Sequence, residues 1–223
     1  MANSQLLGIL LIAMVAGIIL FRLYTVLGRR TGNERESRDP LRRVGGPVPA
    51  ETSDKVVALA DRTQARAEAN VNPAASQGLL QIGQVDRTFE TAHFLDGARH
   101  AYEIIVTAFA ARDRAALRPL LSDEVYAAFD SVMRGHEDRK ETVSYSFVGF
   151  KNTQVTHAEL KGQMAEITVE FASQFISAVS DANGAVVEGD AKAVRDVVDV
   201  WTFARDVHTS DPNWHLVATS SGA

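Results

Sequence analysis

The residue best suited to acid–base chemistry is Asp199, which lies in an apolar run near the C-terminus. In an extended strand, residues two apart share a face, so Asp199 lies on the same face as Val197, Trp201 and Phe203. A carboxylate buried on that face needs a hydrogen-bond partner, or its pKa is raised. Acids of this kind are frequent at functional sites, which makes Asp199 the first candidate.

Two interpretations of Asp199 are open from the sequence. In the structural one, Asp199 pairs with Arg205, Arg195 or a backbone group. In the catalytic one, Asp199 is a general base and Tyr102 or Tyr126, on the preceding helices, is the hydroxyl donor of an isomerase or dehydratase. No paired catalytic motif accompanies Asp199, so we expect a protein that is not an enzyme.

Other chemistry has little support in the sequence. The six histidines are scattered without metal-ligand spacing, and no His-Glu-x-x-His motif occurs. There is no cysteine, which excludes disulfides and thiolate ligands. No phosphate-binding glycine loop and no Gly-x-Ser-x-Gly elbow is found. We therefore expect neither a metal nor a cofactor.

The charge is divided unevenly along the chain. Residues 1–43 hold seven arginines against three acidic residues, a net charge of +4. Because the whole chain carries −5, the remaining 180 residues carry −9. An acidic domain behind a basic segment argues against binding of nucleic acid.

The element expected to organise these residues is a long strand over Ala165–Val179. Apolar and polar residues alternate through it with a period of two, which predicts one buried and one wetter face. At about 3.3 Å per residue it would span roughly 50 Å, far beyond a typical strand. A strand of this length bends, and the small residues Ser173 and Ser177 are the expected bend points.

Helices precede this strand and further strands surround it. Helical spacing predicts helices over residues 89–112, 115–121 and 123–138, the last with Ser122 as its N-cap. Strands are expected over residues 143–155, 194–207 and 214–219, with turns at Lys161-Gly162 and Asn183-Gly184 and a bulge after Gly149. The order predicts an α+β domain whose helices pack on one face of a curved four-stranded antiparallel sheet.

The N-terminal region predicts attachment to a membrane. Leu6–Leu27 is an apolar run long enough to span a bilayer, interrupted only by Arg22. We assign residues 1–28 to a transmembrane anchor, 29–77 to a flexible basic-to-polar linker and 78–223 to the folded domain. Arginines follow the span, so the N-terminus is expected outside and the domain in the cytoplasm. Arg22, Arg29 and Arg30 would meet anionic headgroups.

Six segments carry a resemblance to a known family, and they are distributed along the chain from Leu79 onward. They are Phe94–Ile105, Leu120–Tyr126, Ala165–Val169, Val187–Asp190, Asp199–Arg205 and Asp211–Val217. Through these segments the chain resembles the C-terminal domain of the forty-four-kilodalton subunit of the mitochondrial inner-membrane presequence translocase. The membrane-anchored α-proteobacterial relatives of that subunit are the closer match, because they also have a single N-terminal span.

The resemblance implies a cone-shaped fold similar to nuclear transport factor two, with a large apolar pocket, and a non-enzymatic role. The mitochondrial relative binds acidic lipid and recruits a chaperone and incoming polypeptide. We therefore predict an inner-membrane adaptor that receives a polypeptide or acyl chain, with anionic lipid and a polypeptide or chaperone as partners. The predicted pocket-lining residues are Tyr102, Tyr126, Phe171, Asp199, Trp201 and Phe203. A component of a secretion apparatus is a third interpretation, although the predicted topology argues against it.

Overall fold

The computed structural model describes residues 70–209 and 211–222, which form four helices and then four strands. Turns and short loops join them, and the helices all precede the sheet, as predicted. The helices are α1 (Pro73–Val85), α2 (Thr91–Ala111), α3 (Arg114–Leu117) and α4 (Asp123–Asp138), and the strands are β1 (Thr142–Lys161), β2 (Met164–Ser180), β3 (Val186–Asp206) and β4 (His215–Ser221).

The four strands form one antiparallel sheet in the order β1-β2-β3-β4. The predicted long strand is confirmed as β2, which extends one residue beyond the prediction at each end. Its alternation decides which face is buried: Ala165, Ile167, Val169 and Phe171 are fully buried, and the residues between them are half-buried. The helices pack on this buried face, so the predicted α+β layering is confirmed.

The pairing of the long strands is irregular at several places, and irregularities of this kind are where strands usually bend. Between β1 and β2 the register shifts at Phe147/Gly149, at Phe150/Asn152 and at Val155/His157, and the second of these shifts is the bulge predicted after Gly149. Between β2 and β3 it shifts at Phe175/Ser177, beside one of the two predicted bend points. The other, Ser173, is fully buried and has another role, described below.

Local signals set the helix boundaries. The Ser122 side chain accepts a hydrogen bond from the Val125 N–H, so the predicted N-cap of α4 is confirmed. Helix α2 ends at Ala111, and the next residue, Arg112, caps it in the left-handed conformation with a positive φ of 58°. The apolar side of α2 faces the sheet through Phe94, Leu95, Ala98, Tyr102 and Ile105, which are all buried.

The linker was predicted to continue to residue 77, and this boundary is wrong because α1 begins at Pro73. Asn72 is its N-cap and accepts a hydrogen bond from the Ala74 N–H at 3.0 Å. Just before the helix, Val71 forms a parallel bridge with Val155 of β1. Residues 70–77 therefore belong to the folded domain.

Two further predictions concern the chain ends and the overall shape. No helix within residues 70–209 and 211–222 is both long and apolar enough to cross a membrane. The predicted anchor (residues 1–28) and residues 29–69 of the predicted linker lie outside the described residues. The anchor and this part of the linker therefore stay predictions. The cone similar to nuclear transport factor two also stays a prediction.

Candidate functional site

Tyr102 of α2 lies at the centre of an aromatic cluster between the helices and the sheet. Its ring centroid is 4.5 Å from that of Trp201 on β3 and 4.7 Å from that of Phe171 on β2. Phe147 and Phe150 of β1 contact the same ring. Tyr102 is only 1% exposed, so its hydroxyl must be satisfied inside the protein.

The Tyr102 hydroxyl joins three elements. It donates its proton to Asp199 Oδ2 on β3 at 2.6 Å. It also lies 3.0 Å from Ser173 Oγ on β2, and because the tyrosine proton is already used, Ser173 donates this second bond. The Tyr102–Asp199–Ser173 network therefore ties α2 to the two central strands.

Burial sets the protonation of this network. Burial first, and the nearby Asp199 carboxylate second, raise the pKa of Tyr102 far above its ordinary value of 10.0, so the phenol stays protonated. Burial also raises the pKa of Asp199 above 3.8, and the hydrogen bond from Tyr102 opposes that rise. The acid sits in the position predicted for it, but its partner is a tyrosine rather than an arginine or the backbone.

A second tyrosine lies close to the same carboxylate. The Tyr145 hydroxyl on β1 is buried, and no described residue forms a hydrogen bond with it. Burial and the charge of Asp199 raise the pKa of Tyr145, so it too stays neutral. Its ring packs against Phe175 at 5.3 Å.

The Tyr102–Asp199–Ser173 network is better suited to stabilising the fold than to catalysis. A general base needs a free carboxylate oxygen with access to a substrate. One oxygen of Asp199 is taken by Tyr102, whose ring is enclosed by other aromatic side chains. The network therefore works as a buried polar tie among apolar residues.

An open cleft lies at another place, where the α3–α4 junction meets the end of the sheet. Its volume is about 510 Å³. Leu121, Ala204 and Val217 form apolar parts of its wall, and Met164 lies beside them with 40% of its surface exposed. None of the six predicted pocket residues lines this cleft. Its other lining residues are Arg118, Ser122, Asp123, Arg205, Asp206, Thr209, Asp211, Asn213 and His215.

The two arginines of the cleft already have partners. Arg205 forms a largely buried ion pair with Asp86, and its guanidinium stacks on the Trp214 ring at 5.1 Å. Arg118 pairs with Asp123 at 2.6 Å on the surface. Among the described residues, Asp206 and Asp211 have no cationic partner within ion-pair distance, so the cleft keeps two free negative charges.

The structure brings five of the six predicted pocket residues into one network. Four of them are buried aromatic residues: the Tyr102 ring contacts Phe171 and Trp201, and Phe171 contacts Phe203. Asp199 is connected to this group by its hydrogen bond with Tyr102. Tyr126 is different: it is half-buried on α4 and lies under the Arg118 guanidinium, 4.8 Å from its ring. Whether these six residues line a pocket for a guest stays a prediction.

Some predicted site residues lie outside the described part of the chain, and some residues of the observed sites were not predicted. Arg22, Arg29 and Arg30 lie outside the described residues. The sequence reasoning missed Ser173 as a partner of Tyr102, although a serine on the buried face of an alternating strand signals a buried hydrogen bond. It also missed the cleft, because the lining residues come from segments far apart in the chain, such as Arg118–Asp123 and Ala204–Asp206, and leave no local pattern.

Comparisons with curated proteins give three distant relatives. The large ribosomal subunit protein mL45 of Drosophila melanogaster is 24% identical over 151 residues, covering 63% of this chain and 40% of mL45. The uncharacterized protein RP434 of Rickettsia prowazekii (strain Madrid E) is 23% identical over 228 residues, covering 96% of this chain and 97% of RP434. The mitochondrial import inner membrane translocase subunit TIM44 of Mus musculus is 25% identical over 154 residues, covering 66% of this chain and 33% of TIM44.

The chain thus spans well under half the length of mL45 and TIM44 and nearly all of RP434. Among solved structures, the intermembrane space region of the chloroplast protein ARC6 matches with a TM-score of 0.42 and 12% identity. That match covers 58% of this chain and 96% of the ARC6 chain.

The family comparison agrees with the resemblance seen in the sequence. The family model of the Tim44-like domain matches residues 75–221, which begin in α1 and end with β4. This range contains the whole aromatic cluster and the whole cleft. Because the match covers most of the chain, the protein belongs to the Tim44-like domain family.

Proposed function

We propose that this protein is a non-enzymatic adaptor, tethered to the bacterial inner membrane, whose cytoplasmic domain binds polypeptide segments. The family supports the class of function, since one relative is a subunit of the mitochondrial import inner membrane translocase. The observation that carries the proposal is the open cleft, which combines apolar wall residues with charged residues at its rim.

The cleft suits a polypeptide better than a small apolar guest. Leu121, Ala204 and Val217 can contact one or two apolar side chains, while Asp206 and Asp211 can meet basic ones. A mixture of apolar core and polar rim is the usual composition of a protein interface. Polypeptide handling near the bilayer is therefore the role that we assign to this surface.

A guest in the aromatic interior is the second possibility within the same function. It would contact the six predicted pocket residues, but Tyr102, Phe171 and Trp201 are packed against each other. An acyl or peptide chain could enter only if α2 moved away from β2 and β3. Moving α2 would also break the hydrogen bonds of the Tyr102 hydroxyl. The open cleft requires no such rearrangement.

In-cell photocrosslinking separates the two binding surfaces. A photoreactive residue at Met164, beside the cleft, should capture polypeptides, and one at Trp201, inside the cluster, should capture few. Val148 of β1 is the matched surface control, because it is 51% exposed and does not line the cleft. Equal capture from Met164 and Val148 would contradict the cleft, and capture mainly from Trp201 would place the guest in the interior.

Membrane lipid is the other proposed partner. Arg22, Arg29 and Arg30 would contact anionic headgroups, each contributing about 1 kcal/mol near a charged surface. Replacing the three arginines by glutamine should reduce cosedimentation of the full chain with anionic vesicles but not with neutral ones. Unchanged cosedimentation with anionic vesicles would remove the lipid contact from the proposal.

A further inference from the structure

Asp206 and Asp211 are the cleft carboxylates that form no ion pair with a described residue. Asp206 Oδ1 accepts a hydrogen bond from the His208 N–H at 2.9 Å, and Asp211 Oδ1 accepts one from the Asn213 N–H at the same distance. These bonds shape the β3–β4 loop and neutralise no charge. Among the described residues, neither carboxylate pairs with a cation, so both remain free for a basic ligand.

The same chain carries a basic segment outside the described residues. Residues 29–43 contain six arginines and three acidic residues, a net charge of +3, and also Leu41. The rest of the protein after residue 43 is strongly acidic. We propose that residues 29–43 bind in the cleft, with arginine side chains on Asp206 and Asp211.

The chain between the two sites is long enough. Residue 43 precedes Asn70 by 27 residues, which span about 90 Å when extended and about 40 Å as a helix. Val71 is fixed beside Val155 of β1. From there the cleft lies about six residues along β1 and three strands across the sheet, a separation of roughly 25 Å. Both estimates of the span exceed this distance.

The apolar wall also suits this occupant. An arginine side chain has an apolar stem, which can pack on Leu121 and Val217 while the guanidinium reaches a carboxylate. Arg205 makes a related pair of contacts in this protein, since its guanidinium stacks on the Trp214 ring and also pairs with the Asp86 carboxylate. The cleft therefore offers both parts of an arginine side chain a matching surface.

Docking of residues 29–43 would regulate the adaptor. The arginines cannot contact headgroups and fill the cleft at the same time, so membrane contact would free the cleft. This consequence rests on the proposed function, but the docking itself does not, because it needs neither lipid nor polypeptide.

The absence of cysteine makes a direct test possible in the full chain in detergent. One cysteine replaces Thr31 in the segment, and a second replaces either Thr209 at the cleft or Val148 on β1. Val148 lies seven residues from Val155 along β1, about 23 Å away, so both positions are similarly distant from residue 71. A short thiol crosslinker should join residues 31 and 209 much more efficiently than residues 31 and 148.

A charge variant completes the test. In Asp206→Asn/Asp211→Asn the side-chain oxygens that accept the loop hydrogen bonds are kept while both charges are removed. Loss of two exposed charge contacts should lower the 31–209 yield about fivefold and leave the 31–148 yield unchanged. Equal yields at the two positions, or a 31–209 yield that the charge variant leaves intact, would overturn the docking. Polypeptide capture from Met164 would still stand, so the two proposals fail separately.

Discussion

The buried face of the sheet and the cleft at its end use polar residues in opposite ways. On the buried face, Asp199 and Ser173 both bond to Tyr102, whose ring is surrounded by other aromatic rings. In the cleft, Asp206 and Asp211 face outward without a cationic partner among the described residues. A polar group that is fully satisfied holds a structure together, whereas one left free in an open site is available for binding.

The difference corrects a simple expectation about where function lies. A carboxylate within an apolar strand attracts attention because its burial is costly. In this protein the hydrogen bond from Tyr102 offsets that cost, and Asp199 connects α2 to the sheet. The open charges lie at the end of β3 and in the loop that follows it, where no alternation of apolar and polar residues points to a site.

The largest effect is expected where a helix touches the sheet without a side chain between them. A Cβ at Gly78 of α1 would lie 1.8 Å from the carbonyl oxygen of Ala158 on β1, so Gly78→Ala must push the helix away. We expect a loss of about 3 kcal/mol or more in the free energy of unfolding. Urea unfolding of the full chain, followed by tryptophan fluorescence, measures it.

Gly83 is the matched control on the same helix. A Cβ at Gly83 would meet no atom within 4 Å, so Gly83→Ala should stabilise the protein by about 0.5–1 kcal/mol through helix propensity. If the two substitutions have similar effects, α1 does not pack on β1 as closely as described.

An intermediate effect is expected from removing the Tyr102 hydroxyl. Tyr102→Phe keeps the ring between Phe171 and Trp201 but leaves the Asp199 carboxylate and Ser173 without this partner. The expected loss is about 1–3 kcal/mol, the cost of an unsatisfied buried polar group. Tyr126→Phe, on the half-buried ring beneath Arg118, is the control and should change stability little. Equal losses would mean that the Tyr102 network adds nothing.

The pH dependence of stability tests the burial of Asp199 against that of a surface acid. Its pKa in the folded protein is raised above the ordinary 3.8, so its contribution to stability is complete below pH 3.8 and is lost as the pH rises through the folded value. Asp199→Asn lacks this loss, and the variant should gain stability relative to the wild type as the pH rises from 4 to 7. Parallel stability curves over that range would show that Asp199 is not buried as described. Asp196 is a surface acid whose pKa is lowered by Lys151, so its contribution is lost instead as the pH falls below 3.8, and Asp196→Asn should lack that loss at acid pH.

The sequence predicted those elements whose burial follows a simple period. Alternation identified β2 to within one residue at each end, and helical spacing identified α2 and α4. The same reasoning correctly placed Asp199 on the face that meets Tyr102. It named Tyr102 and Tyr126 as possible hydroxyl donors but could not choose between them and an arginine, since Tyr102 and Asp199 are 97 positions apart and only the packed fold brings them together.

Two elements were mispredicted for different reasons. Residues 70–77 were assigned to the linker, but an N-cap asparagine followed by proline in the first turn is a common helix start, and Asn72-Pro73 could have located α1. Strand β3 was expected to begin at Val194 but begins at Val186. Its first residues show little alternation, and the strand forms because they pair with β2 beyond a register shift. No local pattern encodes such pairing.

The smallest effect is expected in the cleft, at Arg118. Its guanidinium is about half exposed, pairs with the exposed Asp123 and stacks on Tyr126. Exposed pairs and stacks of this kind contribute about 0.5–1 kcal/mol, so Arg118→Gln should cost no more than that, and high salt should reduce the cost further. A stability loss as large as that of Tyr102→Phe would contradict the distinction between the two regions.

Removing Arg118 also makes the cleft more negative. Because Asp206 and Asp211 are proposed to bind residues 29–43, Arg118→Gln should raise the crosslinking yield between residues 31 and 209 while stability changes little, and a fall in that yield would count against the docking.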